Sequence, residues 1–221
     1  MNRSMKFSLP QDMLKILACM TMLIDHIGAI FFPYIAWIRI VGRISFPLYA
    51  FLLAEGVHHT RNLKKYGLRL LLILVLTELP YDLLFRGTLT WTKNSAMVTL
   101  FLGFCIGTVG TKLPFWGKCL AVIPFAFLAR YTHGSYGMNG VLMIAIFLLT
   151  RELPYRVVIQ SVLMVLLSLR ISGYPGDLSI QIWAIAALIP IWLYSGQKRS
   201  SSRFFSGVSP SSTRFICFCS C

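Results

Sequence analysis

Acidic residues are scarce in this 221-residue chain, which carries seven Asp and Glu against 21 Lys and Arg. Stretches polar enough to build a soluble domain are also missing, because 57% of the residues are apolar and the mean hydropathy is +0.71. An average soluble domain is only about 45–50% apolar. We therefore expect a polytopic protein embedded in the lipid bilayer, and no nucleic-acid partner, since no soluble surface could carry a basic stripe.

The cysteines provide no framework for disulfides or metal. Cys19, Cys105 and Cys119 stand alone inside apolar runs, which is typical of small packing residues. The other three form the CFCSC end of the chain, with no second ligand cluster upstream. This spacing supports neither a zinc site nor a disulfide scaffold, and we predict no metal site.

Apolar runs divide the chain into eight predicted membrane spans. A span needs about 20 mostly apolar residues, and fewer inside a bundle. The predicted spans are 13–33, 44–59, 66–85, 95–111, 115–131, 138–150, 156–171 and 178–195. The fold class is therefore all-α, a transmembrane helical bundle over residues 1–195. The Ser- and Arg-rich remainder, 196–221, is predicted to be a disordered tail.

The basic residues predict the orientation of these spans. With the amino terminus in the cytoplasm, most of the 21 Lys and Arg fall at cytoplasmic span ends, so both termini are expected inside the inner membrane. The run after Met13 lacks a small-residue cleavage site. We expect it to be a retained span rather than a removed signal peptide.

Four of the seven acidic residues lie inside predicted spans, namely Asp25, Glu55, Glu78 and Asp82. A charge near the bilayer centre costs roughly 2.5 kcal/mol or more, so such residues usually face a cavity or a protein interior. We predict a buried polar cluster with a task, although each residue could instead pair with a loop Arg or cap a helix. Glu78 and Asp82 lie one turn apart, so one keeps its proton or both meet a cation such as Arg43.

Asp25 and His26 are neighbours in the middle of the first span. Adjacent helical residues point about 100° apart, so one can face a substrate while the other holds a neighbouring helix. Histidine exchanges protons near neutral pH and suits a general base. The alternative is an ordinary packing histidine.

A basic run follows the second span and contains Arg61, Lys64, Lys65 and Arg69. It is either a cytoplasmic loop that obeys the charge bias or a binding site for the phosphates of a cofactor. Just before it, Glu55 shares a helix face with His58 and His59. The spacing of a metal site is absent there, which favours a hydrogen-bonded anchor.

Specific motifs occupy about the first 110 residues: DHIG in the first span, then GRISFPLYAFLLAEG, HTRN followed by KYGLRL, and ELPYD in the third span. Together they resemble the TraX family, named for the F-pilin acetylation protein of conjugation systems. The resemblance implies a multi-pass inner-membrane protein similar to acetyltransferases, which move acetyl from acetyl-CoA to an amino or hydroxyl group. The prominent polar residues of the family fall on Asp25, His26, Arg43, Glu55, Arg61, Arg69, Glu78 and Asp82.

The chain departs from this family pattern at two places. Ser135 stands where the family tends to have an acidic residue, at the start of the weaker match SYGMNGVL. The chain ends in FFSGVSPSSTRFICFCSC, where the family usually continues with an aromatic-rich segment. We expect a truncated or frameshifted member with an aberrant carboxy-terminal tail.

These observations lead to one hypothesis and two alternatives. Arg61, Lys64, Lys65 and Arg69 bind the phosphates of acetyl-CoA. In the predicted catalytic cluster, His26 takes a proton from the acceptor and Asp25 orients or charges His26. Arg43 or a span-end amide stabilises the oxyanion. The other predicted catalytic residues are Glu55, Glu78 and Asp82. The acceptor is a pilin-like peptide, a glycan or a small molecule. The alternatives are a proton-coupled transporter or permease, and an inactive scaffold.

Overall fold

The computed structural model describes residues 9–32, 34–86, 95–131, 136–151, 156–171 and 182–194, with the side chains of 78–86, 156–157, 168–171 and 182 excluded. Within these ranges every regular element is a helix, apart from one isolated β-bridge. The helices are α1 (Gln11–Phe31), α2 (Ala36–Arg43), α3 (Ser45–His59), α4 (Leu63–Arg86), α5 (Ala96–Gly110), α6 (Phe115–Tyr131), α7 (Gly137–Thr150), α8 (Arg156–Ile171), a 3₁₀ helix (Ile182–Ala187) and α9 (Leu188–Trp192). The predicted all-α bundle is confirmed. The predicted tail, 196–221, and Ser135 lie outside the described residues.

α1 is apolar on the face that it buries and on the face that it exposes. Leu14, Ala18 and Thr21 are buried at helical spacing, while Leu17 and Leu23 are exposed among several other large apolar side chains. A helix of a soluble protein would carry polar residues on its outer face. The outer face of α1 therefore suits lipid.

Two helical segments are long and apolar enough to cross a membrane by length and composition. They are Gln11–Phe31 and Ala36–His59, the latter formed by α2 and α3 together. Other apolar helices in the described part of the chain, such as Ala96–Gly110 and Gly137–Thr150, are shorter. With the many exposed apolar side chains, these segments favour a membrane protein. The count of eight spans stays a prediction.

α3 forms the centre of the bundle. Most of its residues are buried, from Phe46 to Val57, and it packs against α1, α5 and α7. Glycines on α5 permit this close packing: Gly107 faces Val57 of α3, where an added β-carbon would lie 3.1 Å from the valine methyl groups. Gly103 of α5 similarly faces Ile144 of α7. α3 is therefore flanked by three other helices, α1, α5 and α7.

α1 and α4 pack against different partners and leave space between them. α1 packs on α2 and α3, whereas α4 packs on α5. Tyr66 of α4 lies beside Gly56 of α3 and meets the ring of Phe104 edge to face at 5.3 Å. These contacts fix the first turns of α4 at the end of α3, next to the start of α1.

The segment before α1 is joined to the end of α9. The backbone N–H of Leu9 donates to the carbonyl of Leu193 at 2.7 Å, and Leu9 forms a β-bridge with Tyr194. The ring of Tyr194 in turn meets Phe51 of α3 edge to face at 5.3 Å. The start of α1 is therefore held by both the central helix and the last described helix.

Candidate functional site

A cavity of about 620 Å³ lies between α1, α3, α4 and α5. Its volume falls within the range of about 300–1,000 Å³ that is usual for small-molecule sites. The residues that line it are Gln11, Lys15, Cys19, Tyr49, Leu52, Leu53, Gly56, His59, Thr60, Asn62, Lys65, Tyr66, Arg69, Leu70, Ile73, Leu76, Thr77, Met97 and Leu100. Polar and basic side chains gather at one end of this lining and apolar ones occupy the rest.

The basic end of the cavity is formed by the start of α1 and the start of α4. Lys15 comes from α1, and Lys65 and Arg69, four residues apart, come from one face of α4. Asn62 caps α4, because its Oδ1 accepts the backbone N–H of Lys65 at 3.0 Å. The positive end of the α4 dipole adds to the cationic side chains, so this end of the cavity favours an anion.

Two of the four predicted phosphate-binding residues line the cavity. Lys65 and Arg69 are among the lining residues, whereas Arg61 and Lys64 are not; all four side chains are exposed to some extent. Lys15, which the sequence indicated only as an orientation charge, joins them. The structure thus divides the basic run into a pair that lines the cavity and a pair that does not.

The remainder of the cavity is apolar. Leu70, Ile73 and Leu76 follow one another along α4, opposite residues of α3 and α5. On the α1 side, the lining includes Cys19, whose Sγ accepts a hydrogen bond from the hydroxyl of Tyr49 at 3.3 Å. The cavity therefore combines a cationic end, which favours an anionic group, with an apolar wall.

One face of α1 connects this cavity to the predicted catalytic histidine. Lys15, Cys19, Met22 and His26 are spaced by four, three and four residues, which places them along one side of the helix. The eleven residues from Lys15 to His26 span about 16 Å along the axis. Met22 also contacts α3, because the hydroxyl of Ser45 lies 3.6 Å from its sulfur.

His26 has a defined tautomer in its neutral form. Its Nδ1 lies 2.8 Å from the backbone carbonyl of Met22, and a carbonyl can only accept, so Nδ1 carries the hydrogen. The lone pair of the neutral ring then resides on Nε2. This arrangement prepares Nε2 to accept a proton.

Asp25 points to α2 rather than along the face of His26. Its Oδ1 lies 3.8 Å from Nη1 of Arg39, and its carboxylate packs directly against Gly42. Asp25 therefore joins α1 to α2 and keeps a cationic partner within the bundle. A direct hydrogen bond from Asp25 to His26 is not part of the described contacts.

Arg43 and Tyr136 lie beside this pair. The Nε of Arg43 is buried and has no hydrogen-bond partner among the residues that the structure describes. Tyr136 stacks on Phe46 with ring centroids 3.8 Å apart. Burial raises the pKa of the Tyr136 hydroxyl, and the neighbouring Arg43 guanidinium opposes that shift. Tyr136 was missed as a site residue, although the SYGMNGVL motif contains it.

Glu55 lies at the other end of α3. Its side chain is 8% exposed and accepts from Nε of Arg151 at 3.2 Å, while Nε2 of His59 lies 3.1 Å from its second oxygen. The ten residues from Ser45 to Glu55 span about 15 Å along the helix axis. The structure thus brings Asp25, His26 and Arg43 to one end of α3 and places Glu55 at the other.

The structure does not describe the side chains of the two remaining predicted catalytic residues, Glu78 and Asp82. Both fall in the backbone of α4. In the described ranges, no three His, Cys, Asp or Glu side chains converge as metal ligands would. The described site therefore consists of a basic cavity, the α1 face that leads from it, and the end of the bundle that holds His26, Asp25 and Arg43.

Comparisons with known proteins were made on the whole chain. The TraX protein family matches residues 10–207. The chain is 30% identical over 144 residues to an uncharacterized protein of Rickettsia prowazekii, covering 63% of this chain and 54% of that protein. It is 38% identical over 86 residues to the probable fimbrial assembly protein FimC, serogroup H1, of Dichelobacter nodosus, covering 37% and 34%.

The chain is also 23% identical over 137 residues to the protein TraX of Escherichia coli, covering 62% of this chain and 54% of that protein. It thus spans about half the length, or less, of these curated relatives. No solved structure matches the chain.

Proposed function

The chain belongs to the TraX family, and from that membership we propose that it is a multi-pass inner-membrane acyltransferase that moves acetyl from acetyl-CoA to an amino or hydroxyl group. One observation carries the proposal. A single face of α1 leads from a cavity with a cationic end to His26, whose neutral tautomer leaves Nε2 as the acceptor nitrogen. This arrangement provides a place for a phosphate-bearing donor and, beyond it, a base.

The residues of the cavity fit the donor. Lys15, Lys65 and Arg69 hold its phosphates at the basic end, since clustered Lys and Arg pair well with phosphate oxygens. The pantetheine arm lies along the apolar wall near Leu70 and Ile73. The bound donor supplies the acyl group as a reactive thioester, directed toward Cys19 and the face of His26.

In the transfer step, the oxygen or nitrogen of the acceptor bonds to the acyl carbon while the carbon–sulfur bond breaks. Nε2 of His26 takes the proton that the acceptor loses and returns it to the departing sulfur, which leaves as the thiol. Arg43 offers its unpaired Nε–H to the developing oxyanion. Such a donor is typically worth about a hundred- to a thousand-fold in rate. Asp25, paired with Arg39, offsets part of the positive charge around Arg43.

The proposed orientation places the basic end of the cavity on the cytoplasmic side, where acetyl-CoA is made. The start of α1, the end of α3 and the start of α4 meet at this end, represented by Lys15, His59 and Lys65. A chain whose amino terminus is cytoplasmic and whose helices alternate in direction brings these three points to one side. Both termini are then cytoplasmic under the positive-inside rule.

The acceptor is proposed from the relatives. One relative is named a probable fimbrial assembly protein, and the family takes its name from an F-pilin acetylation protein. We infer a role connected with conjugation or surface appendages. A pilin-like peptide, a glycan or a small molecule with an amino or hydroxyl group remains the acceptor class.

The test uses the purified chain in lipid nanodiscs with radiolabelled acetyl-CoA and a panel of peptide, sugar and amine acceptors. His26→Gln is expected to lower transfer at least about a hundred-fold, the usual contribution of a general base, while donor binding is retained. His58→Gln is the matched control, because His58 lines a separate small cavity between α3, α5, α6 and α7. Undiminished transfer by His26→Gln would remove His26 from the mechanism.

A direct binding measurement separates the enzyme from its alternatives. Failure of the wild-type chain to bind acetyl-CoA would overturn the proposal. Uptake of a solute into vesicles driven by a pH gradient, without consumption of acetyl-CoA, would favour the transporter instead.

A further inference from the structure

His59 occupies a position that links the cavity to a buried ion pair. It is the last residue of α3, lines the basic end of the cavity and keeps a side chain that is 55% exposed. On its other side the ring meets Glu55 and Arg151. The sequence indicated His59 only as an anchor at the membrane interface.

Nε2 of His59 has two partners, one of which requires it to donate a hydrogen bond and the other to accept one. It lies 3.1 Å from Oε2 of Glu55, which can only accept, and 3.0 Å from Nη2 of Arg151, which can only donate. A neutral ring with its hydrogen on Nε2 satisfies Glu55 alone, and one with its hydrogen on Nδ1 satisfies Arg151 alone. Nε2 therefore satisfies only one of these partners at a time, and a ring that donates to Glu55 leaves Arg151 to its own contact with Oε1 of that carboxylate.

The charged groups around His59 come from every helix at this end of the cavity. They are Glu55 on α3, Arg151 after α7, Lys15 on α1, and Lys65 and Arg69 on α4. Among the described residues these are four cations and one carboxylate. A phosphate bound among the cavity cations adds negative charge beside His59, which favours a proton on its ring.

We propose that His59 is a phosphate-binding residue of this cavity and takes up a proton when a phosphate-bearing ligand binds. The proposal rests on the proposed function, in which the cavity holds coenzyme A. In the protonated ring, Nε2–H donates to Oε2 of Glu55, Arg151 keeps only its contact with Oε1 of the same carboxylate, and Nδ1–H is left to donate to a phosphate oxygen. Both ring nitrogens then act as donors, which no neutral tautomer allows.

The proton has a measurable consequence. Ligand binding becomes tighter as the pH falls, and protons are taken up from the buffer as the complex forms. His59→Gln loses the charge-assisted bond and is expected to bind about tenfold more weakly near pH 6, with little loss at pH 8.5. His59→Lys, a permanent cation, is expected to bind at both pH values without proton uptake.

The experiment is isothermal titration of the full-length chain, in zwitterionic nanodiscs, with coenzyme A and with adenosine 3′,5′-bisphosphate. Titrations at pH 6 and 8.5, in phosphate-free buffers of different ionisation heat, give the number of protons taken up. His58→Gln is the control, since it removes a neighbouring histidine that lines a different cavity. Thermal unfolding of each variant checks that the fold is retained.

Tight, proton-coupled binding by the wild type and by His58→Gln, lost in His59→Gln, supports the proposal. Binding of coenzyme A that takes up no protons, or that is equal in His59→Gln, overturns the role of His59 and leaves the proposed function standing. No binding of coenzyme A at either pH overturns the proposed function.

A second experiment tests the other source of phosphate, a lipid headgroup. It measures recruitment of labelled phosphatidylglycerol into detergent-solubilised protein at the same two pH values. A pH response that depends on His59 in this experiment, without coenzyme A binding, supports the phosphate site with a lipid as its ligand. If neither coenzyme A nor phosphatidylglycerol shows pH-dependent binding that requires His59, the proposed phosphate site at His59 is wrong.

Discussion

Gly42 of α2 lies directly against the carboxylate of Asp25 on α1, so that a β-carbon at residue 42 would overlap the Asp25 side chain. The same carboxylate pairs with Arg39, one turn earlier on α2. The small residue and the ion pair together determine how closely α1 and α2 approach. Since α1 also carries His26, this contact supports the position of the proposed base.

Gly42→Ala tests that support. The added methyl group must displace Asp25 or separate the two helices, and overpacking of this kind typically costs about 1–3 kcal/mol of unfolding free energy. We expect a lower unfolding temperature in detergent and reduced acyl transfer. Gly110→Ala is the control, because a β-carbon there would meet only the flexible Lys118, at 3.5 Å. Equal stability of the two variants would show that Gly42 is not required for packing.

The two halves of the basic run are predicted to differ in donor binding. Lys65→Gln with Arg69→Gln removes two cavity cations and should raise the KM for acetyl-CoA about ten- to a hundred-fold. Arg61→Gln with Lys64→Gln changes the net charge equally but alters side chains that do not line the cavity. Comparison of the two double variants at low and high salt measures the difference. Equal losses would mean that the overall charge of the loop, and not the cavity, attracts the donor.

Tyr136 is predicted to make the fold sensitive to alkali. Burial raises its pKa, so the folded chain retains a proton that the unfolded chain releases near the ordinary tyrosine pKa of about 10. The contribution of this proton to stability is complete below about pH 10 and is lost as the pH rises toward the raised pKa. Tyr136→Phe keeps a ring to stack on Phe46 and removes the hydroxyl. Unfolding temperatures between pH 8 and 11 should fall less steeply for this variant, and parallel curves would contradict the prediction.

The ion pair between Arg151 and Glu55 is predicted to stabilise the end of the bundle where α3 and α7 end. Arg151→Met leaves the buried Glu55 carboxylate without its main cation, which typically costs about 3 kcal/mol. Adding Glu55→Gln to this variant removes the unpaired carboxylate charge. The double variant should therefore lose less unfolding free energy than the sum of the losses in the two single variants. A double-mutant cycle of denaturant unfolding measures this coupling. Strict additivity would show that the two side chains do not depend on each other.

The sequence was sufficient to identify the class of fold, and it drew attention to Asp25 and His26. Apolar runs predict helices in a membrane, and the cost of a charge inside such a run makes Asp25 and His26 stand out. The 4-3-4 spacing of Lys15, Cys19, Met22 and His26 is also readable in the sequence. This spacing indicates a functional face of α1 only once the structure shows a cavity beside that face.

Pairing between distant helices could not be predicted in this way. Glu55 and Arg151 are 96 residues apart, and no local pattern indicates that the end of α3 and the end of α7 meet. The separation of Glu55 from Asp25 likewise follows from the direction of α3 and not from residue type. The sequence also could not show which residues of the basic run line the cavity. That depends on where α4 begins, and it begins at Leu63, three residues before the predicted span.

The hydrogen bond between Leu9 and Leu193 relates the site to the order in which the chain is made. α1 leaves the ribosome first, yet the anchor of its leading segment is among the last described residues to be synthesised. During most of translation, the helix that carries Lys15 and His26 therefore lacks its final attachment. The residues that line the cavity are all made once the chain reaches Leu100, whereas the segment before α1 gains this last contact only when Leu193 has been added.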